Sequence, residues 1–123
     1  MANPVIVDFF GANAQLLTSG TVGSQTASSG DPILCIKFSD LASASLNTVT
    51  TDPIKWFAAL VLKIKGWLAS NSGSGELPLE ISDPSTGFGL VGTQSTIYYD
   101  WSVTVHTPNT VPNTLDPDDI LTV

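Results

Sequence analysis

Arginine is absent from this sequence, histidine and cysteine occur once each, and there are only four lysines. Without a basic footprint, nothing can neutralise a run of phosphates or release their counterions, so nucleic-acid binding is excluded. His106 and Cys35 alone cannot form the clusters that transition metals require, which rules out a structural zinc site within one subunit. A single cysteine also rules out an intramolecular disulfide. Set in the apolar run 33–38, Cys35 is expected to be buried and inert. No apolar stretch matches the roughly 20 residues of a membrane-spanning helix, because the longest, near 54–69, contains Lys55, Lys63 and Lys65. The opening Met1-Ala-Asn-Pro-Val-Ile-Val-Asp8 lacks a basic leader, and Asp8 cuts its apolar run short. No secretory signal is expected, and the location defaults to the cytoplasm or to export by a non-classical route.

What is present describes a folding chain. Of 123 residues, 42% are hydrophobic and 12% charged, with a formal charge of -7. A chain of this composition has enough apolar surface to offset the entropy of ordering, and its length suits one domain. The expected organisation is a single globular domain over 1–107 and an extended arm over 108–123, where Pro108, Pro112 and Pro117 prevent regular strand pairing.

Strict alternation marks 96–107 as a half-buried strand, with Ile97, Tyr99, Trp101, Val103 and Val105 on one face and Tyr98, Asp100, Ser102, Thr104 and His106 on the other. Leu77, Leu79 and Ile81 alternate with Pro78 and Glu80 in a strand that Pro78 confines to a sheet margin. The runs 33–38 and 5–10 are apolar on both faces and fit more central strands. A fifth, glycine-kinked strand over 88–92 follows the turn Asp83-Pro-Ser-Thr-Gly87. The helix signal opens at Asp52-Pro53 and runs over 53–69, with Ile54, Phe57, Leu60, Val61, Ile64 and Leu68 on one face and Trp56 and Trp67 along its edge. Residues 62–68 fit either a helix or a strand. Loops fill 18–30 and 39–51, with some structure expected around 41–49. The pattern predicts a mainly β or α+β fold: a small antiparallel sheet or β-sandwich, one amphipathic helix packed on it, and the C-terminal arm.

Catalytic constellations are missing. His106 and Asp100 lie about 20 Å apart along one strand, and no serine sits in a nucleophile elbow. Glu76, Glu80, Asp83 and Asp100 offer no defined carboxylate pair. Gly87-Phe-Gly-Leu-Val-Gly92 has the spacing of a dinucleotide loop but leads into a strand, not a helix. The chain is therefore expected to be no enzyme and to need no cofactor. Asp116, Asp118 and Asp119 form an acidic group without the spacing of a calcium loop, so that a solvated tail is the simpler reading.

Two function classes remain. The first is a structural or assembly module that self-associates, with Val111, Leu115, Ile120 and Leu121 of the arm docking on a neighbour. The alternative is a surface ligand-binding module for a carbohydrate or a small apolar ligand, using Tyr98, Asp100 and His106, because sugar faces stack on aromatic rings while carboxylates bind hydroxyls. The three lysines of the helix add a basic stripe to an otherwise acidic chain, a feature suited to an acidic neighbour.

Overall fold

The computed structural model describes residues 4–44, 46–71, 77–109 and 114–121, so Val111 lies outside the described residues. The chain is built from small antiparallel sheets and one long helix, and it divides into two compact units, residues 2–70 and 71–123.

The first unit opens with α1 (Ile6–Phe10), where a strand was expected. Asp8 decides the difference: its carboxylate accepts the Val5 N–H at 2.8 Å while its own N–H donates to Val5 O, so the first turn closes locally. This is one half of a capping box, and it outweighs the β propensity of Val5, Ile6 and Val7. Strands β1 (Gln15–Leu17) and β4 (Ile33–Cys35) pair antiparallel, Gln15 with Cys35 and Leu17 with Ile33. Between them, β2 (Thr21–Val22) and β3 (Gln25–Thr26) form a hairpin inside the expected loop. Cys35 is half-buried at the sheet end rather than sealed in a core. A 3-10 helix follows at Phe38–Ala44, which accounts for the structure expected within 39–51.

Helix α2 (Pro53–Asn71) covers the predicted span and resolves 62–68 as helix. Pro53 carries no N–H, and the next donor, Ile54 N–H, reaches Asp52 Oδ1 at 2.9 Å. The buried face is rotated from the one the periodicity predicts. Ala59 and Leu68 are buried, whereas Ile54 and Phe57 are 75% and 69% exposed. The indole rings set this rotation. Trp56 meets Phe38 edge-on at 5.7 Å and donates its Nε1–H to Thr50 O at 2.9 Å, and Trp67 meets Phe9 edge-on at 5.6 Å. Both indoles are thereby half-buried against phenyl rings. Leu41 of the 3-10 helix is the large side chain most completely buried among the described residues.

The second unit is a long bent hairpin in two ladders. Inner strands β5 (Leu79–Ile81) and β8 (Val103–Val105) pair Leu79 with Val105 and Ile81 with Val103. Outer strands β6 (Ser85–Val91) and β7 (Gln94–Asp100) pair Ser85 with Asp100 and Val91 with Gln94. The expected strand 96–107 is therefore interrupted at Trp101 and Ser102. Three residues, 82–84, stand opposite these two, and the mismatch is tied by Ser82 N–H to Ser102 O at 2.9 Å and Ser102 N–H to Ser82 Oγ at 2.8 Å. A two-residue loop, Gly92-Thr93, closes β6 on β7, and Gly92 takes the positive φ of +61° that such a turn demands.

Candidate functional site

Direct cross-strand pairs project to the same side of a sheet, so the register assigns the two sides of β6–β7. Ser85, Gly87, Gly89 and Val91 share one side with Asp100, Tyr98, Thr96 and Gln94. Thr86, Phe88 and Leu90 share the other with Tyr99, Ile97 and Ser95.

On the first side, Tyr98 lies over the glycines. A β-carbon at Gly87 would run into Tyr98 Cζ and Oη, and one at Gly89 would come within 3.4 Å of Tyr98 Cδ1. An aromatic ring laid on a facing glycine covers backbone that would otherwise face water. Asp100 is exposed on the same side, two residues along β7.

The second side has no such cover. Phe88 is 87% exposed, Leu90 70%, Ile97 58% and Tyr99 56%. With Thr86 and Ser95 these four residues form three successive same-side rungs, Thr86–Tyr99, Phe88–Ile97 and Leu90–Ser95, and no charged residue stands among them. Tyr99 also stacks on Trp101 at 6.2 Å and 29°. Trp101 Nε1 is buried without a hydrogen-bond partner among the described residues. The alternation of a half-buried strand is real, yet the chain leaves its apolar side open.

His106 sits elsewhere, past the end of β8. Its N–H donates to Pro78 O and its carbonyl accepts the Leu121 N–H, each at 2.9 Å. Its Nε2 lies 3.9 Å from Glu80 Oε2, a diagonal cross-strand pair with both side chains about half exposed. Tyr98 and Asp100 thus share a surface, while His106 is placed by a separate ladder.

Toward the C-terminus, Asp116 caps a short 3-10 helix, Pro117–Asp119, by accepting the Asp118 N–H on Oδ1 at 3.0 Å. Among the described residues, no three His, Cys, Asp or Glu side chains converge to hold a metal. Leu115 and Leu121 are exposed, Ile120 is half-buried, and Leu121 is held by its hydrogen bond to His106. In the first unit, Asp40 is the best-connected carboxylate. It accepts Asn13 N–H at 2.9 Å and Asn13 Nδ2–H at 2.8 Å. The Asn13 backbone bond foremost holds the Asp40 carboxyl below the usual aspartate range; desolvation, next in size, opposes it, and the Asn13 amide and the charges of Lys63 and Lys37 add to the lowering.

Among the described residues, no helix is long and apolar enough to cross a membrane. Sequence reasoning missed Phe88 and Leu90 as surface residues. Their alternation with Gly87 and Gly89 was the available signal, because glycine on one side and large apolar groups on the other mark a strand with only one side built for contact. No protein-family model matches the chain, and neither a curated protein nor a solved structure matches it.

Proposed function

We propose that the protein is a non-catalytic assembly module that associates with copies of itself, with residues 108–123 as an arm that brings Val111, Leu115, Ile120 and Leu121 to the contact. The observation that supports this reading most is the open apolar side of β6–β7. A two-stranded ribbon is marginally stable in water by itself, and a contiguous exposed apolar patch is the usual mark of a contact surface. On this reading the β-sandwich anticipated from the strand pattern is completed between subunits. The roles of the polar side chains agree with a structural part, since Asp116 caps its own short helix and the His106 imidazole lies against its cross-strand neighbour Glu80. The test is light-scattering mass at low and high protein concentration, on the full chain and on a chain ending at Thr107. A concentration-dependent oligomer supports the module, and loss of mass on truncation assigns part of the contact to the arm. A monomer under all conditions removes the reading.

One observation favours a second reading. Tyr98 and Asp100 share a side of β7, with the Tyr98 ring laid over Gly87 and Gly89 as a platform. A sugar could stack there with its hydroxyls on Asp100. Binding on a glycan array that disappears in Tyr98→Ala would support this role, and an array without signal would end it.

A further inference from the structure

We propose that the side of β6–β7 formed by Phe88, Leu90, Ile97 and Tyr99 packs face to face against the same surface of a second copy of this chain. The proposal rests on the assembly reading above and names its partner and its surface.

Three features select a second copy. The first is charge. Each chain carries -7, so two copies repel wherever their acidic groups meet. The paired positions Thr86, Phe88, Leu90, Ser95, Ile97 and Tyr99 are all uncharged, so two such surfaces can meet without burying like charges. A partner that recognised this acidic protein by charge would find nothing to read here.

The second is area. Four large side chains exposed to this degree present on the order of 500 Å² per copy, taking each at about 200 Å². Two copies would then remove about 1,000 Å² from water, the minimum expected of a specific interface.

The third is the asymmetry of the ribbon. Its opposite side has Tyr98 lying on Gly87 and Gly89, one projecting aliphatic group in Val91 and the charge of Asp100, which leaves the Phe88 side as the one with four exposed large apolar groups and no charge. Two ribbons facing each other about 10 Å apart make the two layers of a small sandwich. The contact is isologous, so each Phe88 sits in the environment its twin provides, and closed two-fold symmetry stops assembly at the dimer.

The test uses the full chain. Sedimentation across a wide concentration range should find a dimer that Phe88→Glu weakens roughly thirtyfold or more, the scale of losing a central aromatic anchor, with the far-ultraviolet circular dichroism unchanged. A second variant guards against misfolding. Leu90→Cys in a Cys35→Ser background should be joined between chains by a bis-maleimide long enough to span two facing sheets, whereas Thr96→Cys, on the opposite side, should not. A dimer that survives Phe88→Glu and does not cross-link through position 90 overturns this surface while leaving the assembly reading standing. A monomer at every concentration overturns both.

Discussion

Tyr98 lies across the backbone of Gly87 so closely that a β-carbon on Gly87 would run into the phenol ring and its hydroxyl. The two residues are a direct cross-strand pair, so the contact is set by register and not by a loop. It predicts a strong coupling. Gly87→Ala should destabilise the hairpin by about 1–3 kcal/mol, the usual cost of overpacking. In a Tyr98→Ala background the same change should cost little or even stabilise, since Ala is favoured over Gly in a strand by roughly 0.5–1 kcal/mol. Amide exchange at Phe88 and Ile97 reads both effects, and equal costs in the two backgrounds would show that the ring is not what Gly87 accommodates.

Acidification should expose the role of Asp40. Its folded-state pKa lies below the ordinary aspartate value of 3.8, so its contribution to stability is fully present above that value and is lost as pH falls below it toward the folded value. Asp40→Asn should therefore flatten the acid limb of the stability curve below pH 3.8 and leave its shape unchanged near neutrality. Parallel curves for the two proteins in urea melts at a series of acidic pH values would contradict this.

The start of α2 gives a prediction with a built-in rescue. Asp52 Oδ1 holds the Ile54 N–H, and Thr50 Oγ1 accepts the Asp52 N–H at 3.1 Å. Asp52→Ala should cost about 0.5–2 kcal/mol in a denaturant melt, while Asp52→Asn, which retains an acceptor oxygen, should recover most of it. A full loss in both variants would point to charge and not to capping.

Two apolar truncations should differ sharply. Leu41 has no exposed surface, so Leu41→Ala should cost about 2–5 kcal/mol. Phe88, although larger, should be within about 0.5 kcal/mol of wild type as Phe88→Ala when measured at high dilution. A large loss for Phe88→Ala at high dilution would mean that its ring is covered within a single chain.

Much of the fold was legible in particular residues. Asp52-Pro53 located the start of α2, and the alternation from Ile97 to Val105 located β7 and β8. Two features were not legible, for different reasons. Residues 5–10 have strand composition, but one local hydrogen bond from Val5 N–H to Asp8 closes a helical turn instead. The orientation of α2 depends on where Phe9 and Phe38 receive the two indoles, which no periodicity within the helix contains. The candidate surface was half legible. The apolar side of β7 was visible in its alternation, but alternation reports that a side is suited to burial and not which molecule buries it.

The mismatch of three residues against two at 82–84 and 101–102 also gives the length of this segment a structural role. Deleting one residue from 82–84 would leave two residues opposite two, so the inner and outer ladders could run on as one regular ladder with the Ile81–Val103 and Ser85–Asp100 pairs both kept. What would be lost is the extra residue that bends and twists a bulged strand. The number of residues at 82–84, more than their identity, therefore sets how the outer ladder is turned relative to the inner one, which makes this short segment a spacer defined by its count.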